Sequence, residues 1–134
     1  MKFQIAAMLV LGALVARPAQ ADTRATQQKS LERYTPYLEA PVEDFTFWSL
    51  YKWQLVGPQK VVVWSTIKDA YLLTVAEPCP KLEWANGIGL TSQQLHRISR
   101  RFDFVTLAND RCRITRIQPI DTARMNQERG AAEK

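Results

Sequence analysis

The sequence predicts a mainly β fold, a small antiparallel barrel or sandwich of about six strands with one or two short helices and one disulfide. Three observations carry this reading. Short runs rich in β-branched and aromatic residues recur from Asp44 to Ile117. Breaks built on Gly, Pro and Asx residues separate them, at Gly57-Pro58, Pro78-Cys79-Pro80 and Asn109-Asp110. Two cysteines stand apart, Cys79 at the start of the one long stretch without strand character and Cys112 in the last strand.

The chain opens as an export signal. Lys2 precedes an apolar run from Phe3 to Ala16, broken only by Gln4 and Gly12. That run of about 14 residues is too short for a bilayer core of about 30 Å, which takes nearer 20 as a helix. Pro18 ends any helix, and Ala19-Gln20-Ala21 is a small-x-small cleavage pattern. Residues 1–21 therefore read as a cleavable signal peptide, with the mature chain starting at Asp22, periplasmic or secreted. No cysteine lies near the apolar run to take a lipid, so no membrane anchor is expected after cleavage.

Residues 22–41 form a lead-in in which Leu31, Tyr34, Tyr37 and Leu38 could make one short amphipathic helix before Pro36 or Pro41. The β-rich domain follows over residues 42–121. From Asp44 to Trp53, Phe45, Phe47, Tyr51 and Trp53 share one parity, the period of a half-buried strand. Val61-Val62-Val63-Trp64 has the composition of a central strand. Thr66 to Asp69 turns it into Tyr71 to Val75, a hairpin. A short turn is expected at Leu82 to Ala85. Thr91-Ser92-Gln93-Gln94 matches a capping box, so a helix is expected to run to about Ser99 with Leu95 and Ile98 buried. Phe102 to Leu107 alternates as a fifth strand, Asn109-Asp110 turns, and Arg111 to Ile117 is the sixth, with Cys112 and Ile114 on one side and Pro119 as the stop. Residues 122–134 carry no apolar stripe and read as a flexible tail.

These elements resemble a family of small exported proteobacterial proteins of unknown function. The resemblance rests on Val62-Val63-Trp64, Ala70-Tyr71-Leu72-Leu73, Cys79-Pro80-x-Leu82, Ile88-Gly89-Leu90-Thr91-Ser92, Arg101-Phe102-Asp103, and Cys112-Arg113-Ile114 with Ile117 and Pro119, across roughly residues 42–121. It implies an envelope location and paired cysteines, and brings no activity with it. Some of these relatives look like lipoproteins, a feature that this chain lacks.

Charge and cysteine usage narrow the classes. Removing residues 1–21 from the 134 leaves 113, enough for one domain, and takes the formal charge from +5 to +3 through Lys2 and Arg17. From His96 to Arg124 seven arginines face Asp103, Asp110 and Asp121, a mild cationic bias for which a solvated face is the plainer account. In an oxidising compartment Cys79 and Cys112 are expected to pair, adding about 3 to 4 kcal/mol in the chain-entropy account. Two sulfurs and the lone His96, without a C-x-x-C pair, disfavour a metal site, and no cofactor is expected.

The chemistry-bearing residues are few. His96, one turn after Ser92 in the expected helix, is too local for a catalytic pair, and no G-x-S-x-G is present. Glu43, Asp44, Asp69 and Glu83 could supply a carboxylate pair for hydrolysis only if folding brought them together, and turn or edge charges are the plainer account. No phosphate-cradling glycine motif occurs. Four tryptophans and four tyrosines are a heavy load for 113 residues. Trp48 and Lys52 lie opposite Phe45 and Phe47 in parity, and Trp64 lies opposite Val61 and Val63. Burial beneath the segment containing Trp84 would explain the rings, whereas an exposed platform would stack on sugars or cover an apolar partner. The candidate binding surface is Trp48, Lys52, Trp64, Arg100 and Arg101. The reading that follows is a non-catalytic accessory domain of the cell envelope whose partner is an envelope protein or cell-surface polymer, with no nucleic acid. A small carboxylate hydrolase and an inhibitor of an envelope-attacking enzyme are the alternatives.

Overall fold

A computed structural model describes residues 19–132. Of the expected signal peptide, residues 1–18 lie outside this range, as do residues 133–134. Among the described residues the chain forms eight strands in two antiparallel sheets, two α-helices and one disulfide. Helix α1 (Ala19–Tyr34) runs into a single 3₁₀ turn (Thr35–Tyr37). Strand β1 (Asp44–Thr46) precedes β2 (Lys52–Gly57), β3 (Lys60–Trp64) and β4 (Ala70–Val75). A second 3₁₀ turn (Pro80–Trp84) leads to β5 (Gly89–Leu90), β6 (Arg97–Ser99), β7 (Phe104–Leu107) and β8 (Asp110–Ile120), and α2 (Thr122–Ala132) closes the described chain. The main sheet has the order β2-β3-β4-β8-β7-β5 and curls as a half-barrel, while β1 and β6 pair separately.

The expected hairpin is β3 and β4, in register from Lys60 opposite Thr74 to Trp64 opposite Ala70. Val61, Val63, Leu73 and Val75 face one cluster with Ile114, Ile117, Leu82, Phe45 and Ile98. Val62, Trp64, Ala70 and Leu72 face the other, under Tyr34, Leu31 and Met125 from the two helices. These strands are buried on both faces, which is why they read as continuous apolar runs. In β8 a bulge at Thr115 lets Ile114 and Ile117, three residues apart, face the same cluster, and the Thr115 hydroxyl donates to the Thr74 carbonyl at 3.1 Å. Cys79 and Cys112 are joined, tying the 3₁₀ turn at Pro80 to β8 beside that cluster.

Four expectations are corrected. The single strand from Asp44 to Trp53 is two, because β1 pairs with β6 while β2 pairs with β3, and residues 47–51 cross between the sheets. The helix expected from Thr91 to Ser99 is absent: Ser92 Oγ lies 2.6 Å from the Arg97 carbonyl and accepts the Arg97 amide at 3.2 Å, closing a tight loop into β6. Ile98 is buried there as expected, but Leu95 is 83% exposed. Pro119 does not stop β8. It pairs with Tyr71 of β4, and its carbonyl accepts from the Glu39 amide, so its nitrogen, on that same edge, faces residues 38–42 and not the β4 ladder. Last, residues 122–132 are helical. Asp121 accepts the Arg124 amide at 3.0 Å as an N-cap, and Met125 covers the helix-side cluster.

Helix α1 docks through polar groups. Gln27, Ser30 and Tyr34, spaced three and four apart, form its buried face. Tyr34 Oη donates to Gln54 Oε1 at 2.8 Å, and Gln54 Nε2 donates to Ser30 Oγ at 3.1 Å. Burial raises the Tyr34 hydroxyl pKa above its ordinary value, an effect that Arg33 opposes.

Candidate functional site

The pairing of β1 with β6 assembles most of the residues of interest. Asp44 stands opposite Ser99 and Thr46 opposite Arg97, and the pairing continues outward through hydrogen bonds from the Arg100 amide to the Glu43 carbonyl and from the Phe47 amide to the His96 carbonyl. At one end of this ribbon the Glu43 carboxylate accepts from Arg100 at 2.7 Å and from Arg101 Nε at 3.1 Å, and Arg97 pairs with Asp44. The hydrogen bond from Arg100 is the main cause holding the Glu43 carboxyl below the usual carboxylate range, with Arg101 assisting. Arg100 and Arg101 are thus engaged with a carboxylate, not offered as a free cationic patch.

At the other end Trp48 and His96 stack, ring centroids 3.5 Å apart at 24°. His96 sits at φ 56°, a left-handed conformation seldom taken by a residue with a side chain. Trp48 is 71% exposed, and Leu95, next to His96 in sequence, is more exposed still. One face of the indole rests on the imidazole, so the ring is braced while still meeting solvent. Trp48 is exposed as expected, but it lies in the crossing segment 47–51 and not in a strand, and the helix expected over Thr91 to Ser99 hides the role of His96 in the sequence.

Trp64 is not on this surface. It is 6% exposed, set edge-on to Tyr34 at 6.0 Å beneath α1, with Lys52 Nζ 4.3 Å above its ring. Lys52 is exposed and serves as a lid on a core tryptophan. Trp53 is partly buried against the sheet's inner cluster.

One buried polar residue organises the loop that presents Leu95 and His96, and no sequence motif marked it. Asp103 is fully enclosed. Its carboxylate accepts from the Ser99 amide at 2.7 Å, the Gln93 amide at 2.8 Å and the Thr91 hydroxyl at 2.9 Å. Both chain arms leading to His96 are therefore pinned to one side chain.

The four carboxylates considered for hydrolysis are engaged separately. Glu43 and Asp44 pair with arginines, Asp69 accepts from Thr66 at 2.8 Å within the β3–β4 turn, and Glu83 faces Arg24 of α1. Among the described residues no group of three or more His, Cys, Asp and Glu is placed to hold a metal ion. A family model described as a family of unknown function (DUF6491) matches residues 1–134. No curated protein and no solved structure matches the chain.

Proposed function

Proceeding from a chain that belongs to this family of unknown function, we propose that it is a non-catalytic accessory domain of the cell envelope that docks an envelope protein through Trp48, braced by His96 and flanked by Leu95. The observation that carries the proposal is the exposure of Trp48 on a fixed support. Burying such a ring is worth about 2 to 3 kcal/mol, and the fold forgoes it here. Glu43 and Asp44 offset two of the three adjoining arginine charges, so the surface offers an apolar face more than a charge. That favours an apolar protein surface over an anionic polymer. The disulfide supports an oxidising compartment, and the signal peptide reading supports export. Intact mass of exported protein beginning at Asp22 tests the location.

For the partner, a photo-crosslinking residue in place of Leu95 is expected to trap one defined protein in intact cells, with the adduct lost when Trp48→Ala is added. Absence of an adduct, an adduct indifferent to Trp48, or cosedimentation with purified cell-wall polymer that requires Trp48 would each overturn the proposal, the last in favour of a polymer ligand.

A further inference from the structure

A second site lies away from Trp48, where α1 meets the 3₁₀ turn at Pro80–Trp84. A cavity of about 150 Å³ is lined there by Thr23, Arg24, Gln27, Glu83 and Trp84. Two acceptors of its lining residues, Gln27 Oε1 and Glu83 Oε1, are closed to solvent as the side chains stand and receive no hydrogen bond. Gln27 as a whole is 6% exposed. Arg24 Nε is 3.5 Å from Glu83 Oε1, near enough for an ionic contact but not for a hydrogen bond. Trp84, beside them, is 63% exposed.

Native chains seldom leave enclosed polar atoms unmatched, and two in one small cavity mark hydrogen-bonding capacity that the fold does not use itself. The charges in the cavity balance, Arg24 against Glu83, so neither an anion nor a cation is favoured. What fits a guanidinium donor, a carboxylate acceptor and an amide side by side is a group that donates and accepts at once, namely a hydroxyl. A neighbouring indole adds an apolar face for the C–H side of a ring. We propose that this cavity is a carbohydrate subsite that takes one neutral pyranose unit, its ring against Trp84 and its hydroxyls met by Arg24, Gln27 and Glu83 once the two enclosed oxygens turn toward the cavity. The site shares no residue with the Trp48 surface and stands or falls independently of it.

The test is titration of ¹⁵N-labelled protein with glucose, galactose and N-acetylglucosamine, with glycerol and ethylamine as controls. At least one sugar is expected to give saturable shifts at the Trp84 indole N–H and the Gln27 side-chain amide, with a dissociation constant in the millimolar range. Trp84→Ala, at an exposed position, is expected to keep the native spectrum and weaken binding about tenfold. Glu83→Gln is expected to weaken it too. Saturable shifts with none of the three sugars, shifts equalled by glycerol or ethylamine, or binding unchanged in both variants would overturn the subsite.

Discussion

The Thr91 hydroxyl donates to Asp103 Oδ1 at 2.9 Å and accepts the Phe104 amide at 2.8 Å, which locks the start of the 91–97 loop to the start of β7. Asp103 is left with a second oxygen for the Ser99 amide, so one carboxylate satisfies donors from three positions. Replacing it with Ala strands two amides and a hydroxyl at a site without solvent. At about 1 to 3 kcal/mol for each unsatisfied group, Asp103→Ala is expected to cost more than about 3 kcal/mol, and Asp103→Asn less, since one acceptor survives. Urea unfolding at constant m-value reads the difference. An Asp103→Ala protein as stable as the parent would remove this residue as the organiser of the loop.

The same carboxylate explains much of what could not be read in advance. Thr91 and Ser92 have the spacing of a helix cap, but the hydroxyl of Thr91 and the amide of Gln93 are both taken by Asp103, twelve and ten residues away. Local pattern cannot see a partner that distant, and so a helix was expected where a loop forms. Strands β3, β4 and β8 are legible because short apolar runs rich in β-branched residues between turn signals are a local property, and the Cys79–Cys112 pairing because only two cysteines exist. Helix α1 is only partly legible, since its inward residues Gln27, Ser30 and Tyr34 leave little apolar stripe, Ser30 and Tyr34 being held by Gln54 across the interface. In α2 the single apolar contact from Met125 is too little to mark a face, and the cap from Asp121 shows only in the structure.

The disulfide spans 33 residues, which in the chain-entropy account gives about 3 to 4 kcal/mol. Both sulfurs are buried, so the paired substitution of Cys79 and Cys112 by Ala also loses packing against the inner cluster. The double variant is expected to unfold at a clearly lower urea concentration than the parent, and reduction of the parent to reproduce most of that loss. A double variant within about 0.5 kcal/mol of the parent would show the bridge to be incidental.

Glu43 sets a pH dependence of known sign. Its carboxyl is held below the usual carboxylate range chiefly by the hydrogen bond from Arg100. A depressed value in the folded state means that the stabilisation is present above the ordinary carboxylate range and is lost as the pH falls below it. Glu43→Gln is therefore expected to lower the melting temperature slightly at neutral pH, with the two proteins converging in acid. Because the group is exposed, added salt shrinks the gap. A gap that persists unchanged below the carboxylate range would assign the effect of Glu43 to something other than its charge.

Trp48 and Trp64 separate two meanings of the same parity argument. Each lies opposite its apolar neighbours, Trp48 opposite Phe45, and Trp64 opposite Val61 and Val63. Parity agrees with the exposure of Trp48, 71%, but does not cause it, because residues 47–51 are not a strand and Tyr51, on the parity expected to be buried, is 59% exposed. It fails for Trp64, because β3 is covered on both faces and the side opposite Val61 lies beneath α1. The energetic consequence is asymmetric. Trp64→Ala empties a site enclosed by Tyr34 and Lys52 and is expected to cost about 3 to 5 kcal/mol, enough to lower the melting temperature by well over 10 °C at about 4 °C per kcal/mol. Trp48→Ala removes one stacking partner from His96 and is expected to stay within about 0.5 kcal/mol of the parent. Scanning calorimetry of the two variants side by side decides between them. If Trp48→Ala melted as early as Trp64→Ala, Trp48 would belong to the core and its exposure would carry no meaning for binding; if both melted with the parent, α1 would not be seated on β3 in solution.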